Sequence, residues 1–175
     1  MNAEELRAMQ APLKAQYRAE PAAALVTLRT QGHLGEGVTC SVTTGKALVE
    51  AGLHPATGGD GLAACSGDML LEALVACAGV TLRAVATALG IDVRGGTVTA
   101  EGDLDFRGTL GVSSDASVGL KAIRLHFDLD TSADTEQLQT LLRLTERYCV
   151  VYQTLRQPPT CTISHSAGEA AALDR

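Results

Sequence analysis

Between Ser66 and Gly90 the chain reads SGDMLLEALVACAGVTLRAVATALG, a run at helical length that is apolar on almost every face. A helix without a polar face cannot lie on a surface. It sits at the centre of a domain, is shared between two subunits, or crosses a membrane. The strictly apolar part, counting Gly and Thr, is only Ala73 to Leu82, with Asp68, Glu72 and Arg83 flanking it, too short for a bilayer. The expectation is a helix buried in protein. Ser66 is placed to cap it, Asp68 to complement the positive end of its dipole, and Gly90 to end it. Cys77 stands in its middle.

The remaining segments are ones that such a helix can organise. Leu6, Met9, Leu13 and Tyr17 recur near helical spacing, so residues 1–20 form a helical arm, broken near Pro12. Residues 21–166 form one domain and 167–175 a small, polar tail. From Ala22 the apolar period changes to two. Ala24, Val26 and Leu28 share a face, GHLGEG at 32–37 turns the chain, and Val38, Cys40 and Val42 share the next apolar face. A short third strand follows near 47–50. After Gly90, Val98, Ala100 and Leu104 oppose Thr97, Thr99, Glu101 and Asp103. A flexible polar segment at 107–119 leads to a clear strand, with Ile123, Leu125, Phe127 and Leu129 inward and Arg124, His126, Asp128 and Asp130 outward. A second helix spans about 133–155, capped by Thr131 or Ser132. Its buried stripe is Leu138, Leu141, Leu142, Thr145, Cys149 and Tyr152, and Pro158-Pro159 stop it. TCTISH at 160–165 reads as a last strand with Cys161 and Ile163 on one face. Strands grouped around two helices, without strict alternation, indicate an α+β domain.

Several kinds of chemistry are excluded. The net charge of −6 and the lack of a basic cluster argue against a nucleic-acid partner or a membrane surface. The glycine-rich loop at 54–65 lacks the Lys and Ser/Thr of a phosphate cradle. His33, His54, His126 and His165 are scattered, without metal-site spacing, and no G-x-S-x-G elbow is present, so neither metal nor cofactor is expected. The polar start of the chain is not a signal peptide, which points to the cytoplasm. Five cysteines there argue for packing, metal or redox roles over a disulfide scaffold. Cys40, Cys65 and Cys161 read as packing or incidental thiols. Cys77 and Cys149 fall on apolar helix positions, where burial alone raises a thiol pKa, so reactivity there requires a nearby cation or hydrogen-bond donor. Arg29 is a candidate, whereas Arg83 lies about 120° around the helix from Cys77. Inert packing of both thiols remains the alternative at this point.

The segment GDMLLEALVACAGVTLRAVA, with its LL-x-A-L-x-x-C core, resembles the central helix of the osmotically inducible protein C and organic hydroperoxide resistance (OsmC/Ohr) family. ERYCVVYQTL at 146–155 resembles that family's second cysteine helix, and the order of elements agrees from about 24 to 165. The resemblance implies an α+β fold in which two antiparallel-rich sheets wrap long central helices in an intertwined homodimer. It implies a thiol peroxidase for organic hydroperoxides in oxidative or osmotic stress defence. Cys77 would be peroxidatic and Cys149 resolving, and an external dithiol, lipoyl or thioredoxin-like, would reset the pair. Val150 stands where the family has Pro after the second cysteine. The first hairpin turn carries no Arg, leaving Arg29 as the nearest thiolate activator, and Asp68 is the match for the family's carboxylate. An alternative use of the same fold is a stress or small-ligand-binding protein without efficient peroxidase activity.

Overall fold

The computed structural model describes residues 2–5, 8, 10–11, 19, 31–34, 39–43, 48–111 and 113–166. Near the start, residues 3–5, 8 and 10–11 take helical backbone. The first sheet contains β1 (Gln31–Leu34), β2 (Thr39–Thr43), β3 (Leu48–Gly52) and β4 (Ala64–Cys65), in that order. β1, β2 and β3 pair antiparallel, and β4 pairs parallel to β3. The expected strand through Ala24, Val26 and Leu28 lies outside the described residues; in the antiparallel pair that is described, Gly32, His33 and Leu34 belong to the first strand and pair with Val42, Ser41 and Cys40.

The apolar stretch forms α1 (Ser66–Leu89). Its N-cap is Cys65, in extended conformation and without a side-chain cap bond, so Ser66 is the first helical residue and not the cap. Asp68 stands in the first turn as expected. Gly90 ends the helix at φ 69°, a left-handed conformation that glycine adopts without Cβ strain. Burial is one-sided: Leu74, Ala78, Leu82 and Ala86, spaced by four, form the closed line. The opposite face is open, with Leu70 39% and Val80 72% exposed and Ala73 and Ala76 exposed between them. By length and composition alone α1 could cross a membrane. Here it packs instead against the second sheet and two later helices.

That sheet is the antiparallel pair β5 (Val93–Asp103) and β6 (Ala122–Thr131). Val98 faces Phe127, Ala100 faces Leu125 and Gly102 faces Ile123, all on the side turned to α1. Arg124 on the outer side pairs with Glu101 and Asp103 across the strands. A bulge follows Val93. Beyond it stands Gly96, whose φ of 146° and 2.2 Å gap from an added Cβ to the Asp128 carbonyl leave no room for a side chain. The polar connection contains one helical turn, α2 (Phe106–Thr109).

The second long helix is two helices, α3 (Thr135–Tyr148) and α4 (Val150–Arg156), separated at Cys149. Asp134, not Thr131 or Ser132, caps α3. Its carboxylate accepts from the Gln137 amide at 2.8 Å, and Gln137 Oε1 accepts from the Asp134 amide at 3.0 Å. This is a reciprocal capping box. Thr131 is engaged elsewhere, its hydroxyl donating to the Asp92 carbonyl. Leu141, Thr145 and Cys149 are buried, whereas Leu142 is 38% exposed. Residues 160–165 form no strand: with Ile163 fully exposed and Cys161 on the surface, the alternation there has nothing to bury against.

Candidate active site

Cys77, midway along α1, and Cys149, at the α3–α4 break, meet in one buried cluster with Leu74 and Ala78. Cys149 is 1% exposed and Cys77 half-buried; both are free thiols and pack against each other. The break creates the electrostatics. Cys149 has φ −72° and ψ 107°, so it is extended and belongs to neither helix interior. Its amide still bonds the Thr145 carbonyl at 2.9 Å, closing α3, and its carbonyl accepts the Gln153 amide at 2.9 Å, opening α4. The first amides of a helix have no intrahelical acceptor. Those of Val150 and Val151 turn onto the Cys77 sulfur.

The Cys77 thiol is held below the ordinary thiol value. Burial is the largest single influence and pushes it up; the Val151 amide, Cys149 thiol, Val150 amide and Thr81 hydroxyl push it down and together prevail. Thr81 lies one turn along α1, where its hydroxyl donates its proton to the Cys77 carbonyl at 2.7 Å. Cys149 moves oppositely. Burial raises it, the Cys77 thiolate beside it raises it further, and the amides of Tyr152 and Val151 only partly offset this. The Tyr152 amide faces the Cys149 sulfur without making a cap hydrogen bond. One thiol is thus predisposed to ionise and its neighbour to keep its proton.

Among the described residues, no charged side chain acts on Cys77. Arg29 lies outside them. Asp68 is exposed at the far N-terminal end of α1, beside a separate cavity with His54 and Cys65, nine residues and roughly 13 Å along the helix from Cys77. Arg83 donates to the Val93 carbonyl and does not reach the thiol. Cys65 is half-buried and Cys161 exposed; neither joins the pair. Val150, Val151 and Thr81 escape sequence reading because amides in an uninterrupted helix are already spent. The available signal is the β-branched Val150-Val151 pair directly after Cys149, a weak point for helix continuation.

A cavity of about 410 Å³ adjoins Cys149. Ala78, Leu125 and Phe127 give it apolar walls, and Arg143 and Glu146 stand at its polar side.

Two cysteines meeting between a central helix and a helix break, covered by an antiparallel sheet, define a two-thiol α+β protein. The sequence profile of OsmC-like proteins matches residues 58–164, and the chain belongs to that family. No curated protein sequence matches the chain. Solved structures share the fold. An OsmC-like protein from Mycoplasma pneumoniae superposes with TM-score 0.64 at 16% identity, covering 76% of this chain and 89% of that one. An organic hydroperoxide resistance protein OsmC from Legionella pneumophila gives 0.61 at 20%, covering 76% and 91%. An organic hydroperoxide resistance protein from Elizabethkingia anophelis gives 0.61 at 18%, covering 77% and 91%.

Proposed function

We propose that the chain is a cytoplasmic thiol peroxidase that reduces organic hydroperoxides in oxidative or osmotic stress defence, with Cys77 peroxidatic and Cys149 resolving. The observation that carries this reading is the contact of the two thiols at the helix break, with the Val150 and Val151 amides on the Cys77 sulfur. The Cys77 thiolate attacks the hydroperoxide, the O–O bond breaks, and the alkoxide takes up a proton and leaves as alcohol. Cys77 becomes a sulfenic acid. The Cys149 sulfur then displaces hydroxide, which leaves as water with the Cys149 proton, and the two sulfurs join. An external dithiol, lipoyl or thioredoxin-like, supplies two electrons to reopen the disulfide.

The acting form in this reading is a homodimer. The open α1 face through Leu70, Ala73, Ala76 and Val80 is apolar and runs beside Cys77, and a second copy of the same helix is a fitting cover. The site would then lie at a subunit boundary, as the family resemblance implies.

The test is a titration of reduced protein with cumene hydroperoxide, followed by alkylation and mass spectrometry. Expected is loss of the free thiols at Cys77 and Cys149 together, and no peroxide consumption by Cys77→Ser. The cavity beside Cys149 favours a second reading, a small-ligand-binding stress protein. That reading predicts that both thiols stay free after peroxide.

A further inference from the structure

An uninterrupted helix through Cys149 would commit the Glu146 carbonyl to the Val150 amide, four residues on. The extended Cys149, with ψ 107°, turns the peptide that carries that amide away from the helix ladder. The Glu146 carbonyl is then left needing a donor, and an unpaired polar group out of water is costly. Gln153 supplies one: its side-chain amide donates to the Glu146 carbonyl at 2.7 Å, in a part-buried bond. Its backbone amide donates to the Cys149 carbonyl at 2.9 Å, so one residue holds both sides of the break. The Glu146 carboxylate adds two further links to α4, accepting from the Tyr152 hydroxyl at 3.2 Å and from the Arg156 guanidinium.

We propose that Gln153 is a positioning residue for the Cys77 thiol: it takes the place of the Val150 amide on the Glu146 carbonyl and so leaves that amide facing the Cys77 sulfur. Without the side-chain donor, the same carbonyl draws the Val150 amide back into a continuous helix, and the sulfur loses it. Gln153 is not among the groups that act on the sulfur directly; its effect passes through the backbone. Among the described residues, Cys149 is the one titratable group that acts on Cys77. Tyr152, in the same cluster, gives its hydroxyl to Glu146, and Glu146 is paired with Arg156. A change at Gln153 therefore reaches Cys77 through the break and not through a neighbouring charge. The role rests on the peroxidase reading only for the use to which the thiolate is put.

The experiment follows iodoacetamide alkylation of the full reduced chain across pH, reading Cys77 by mass spectrometry of its peptide, so no peroxide is needed. Gln153→Met keeps the bulk of the side chain and removes its donor. Expected is a rise of the Cys77 midpoint by about half a pH unit, roughly threefold in thiolate below the midpoint, the scale of one neutral hydrogen bond. In Val150→Pro no amide remains at 150 for Glu146 to reclaim. Adding Gln153→Met to Val150→Pro should therefore move the midpoint no further, whereas a merely structural role would add the same shift in both backgrounds. Gln153→Lys keeps a donor of similar reach and should hold the midpoint at or below that of the wild type, a comparison that stands even if Gln153→Met fails to fold. An unchanged midpoint in folded Gln153→Met, equal shifts in the two backgrounds, or a raised midpoint in Gln153→Lys overturns the proposal. If the midpoints behave as expected but cumene hydroperoxide leaves both thiols free, the peroxidase reading fails and the role of Gln153 stands.

Discussion

Replacing Val150 by proline separates reactivity from stability at the helix break. Proline suits the first helical position, where no backbone amide is needed for the helix. The residue before a proline must be extended, and Cys149 already has φ −72° and ψ 107°. Val150 is 69% exposed, so its side chain contributes little packing. The variant should fold and gain about 0.5 kcal/mol from a stiffer unfolded chain. It also deletes one of the two amides on the Cys77 sulfur. A hydrogen bond to a charged group contributes about 1.5 kcal/mol, so its loss lowers the thiolate population about tenfold at pH values below the Cys77 midpoint. The less acidic thiol is the better nucleophile, with a Brønsted coefficient of about 0.5, which returns about threefold. The net expectation is a second-order rate with cumene hydroperoxide about threefold lower on the acid side of that midpoint. The sign with pH follows. The thiolate reacts, so the rate rises with pH to a plateau, and the lowered Cys77 value brings that plateau to lower pH than for an ordinary thiol. Val150→Pro moves the midpoint upward and inverts the rate gap at alkaline pH, where both thiols are ionised and the variant is about threefold the faster. Stopped-flow rates across pH, with thermal melts of both proteins, measure this. An unchanged midpoint in a folded variant refutes the role of the Val150 amide.

Other substitutions probe separate parts of the molecule. Cys149→Ser should leave one turnover and a sulfenic acid at Cys77 that dimedone captures; absence of the adduct would count against the order of the two thiols. Asp134→Ala removes the α3 cap and should cost about 1 kcal/mol in urea unfolding, with the peroxide rate little changed. Leu141→Ala empties a site that is fully closed and should cost about 3 kcal/mol by the same measurement. Val80→Glu places a charge on the open α1 face; light scattering should report a shift from dimer to monomer, and a monomeric wild type would remove the basis of the prediction.

What the sequence reveals and what it hides divide along a physical line. Ile123, Leu125, Phe127 and Leu129 alternate so cleanly that β6 and its inner face follow at once, and Gly90 marks the end of α1. Both cysteines at the site are legible from their motifs. Caps are less so. Thr131, Ser132 and Asp134 are all suitable types, and only Asp134 has the glutamine three residues on that completes the box. The last segment misleads because alternation in TCTISH describes a strand only when another strand receives it. The break at Cys149 was hidden most deeply, since Leu138, Leu141, Thr145, Cys149 and Tyr152 keep helical spacing across it. Periodicity records which side chains face inward. It does not record the backbone amides, and at this site the amides are what lower the Cys77 pKa.

That distinction accounts for how a thiol in an apolar cluster can ionise without a charged neighbour. A charge brought to Cys77 by a side chain would itself need desolvation, an expense that rises with the apolarity of the surroundings. Backbone amides at the start of a helix are already unpaired and neutral, so they can be buried beside sulfur more cheaply. The same extended residue that frees them is the second cysteine. Its sulfur is therefore held against Cys77 by the geometry that activates Cys77, and any substitution that heals the helix through 149 should remove activation and resolution together. Circular dichroism showing greater helicity, with loss of both sulfenic acid and disulfide formation, is the expected signature. A continuous helix that retained a readily ionised Cys77 would show that activation comes from outside the break, with Arg29 the first residue to examine.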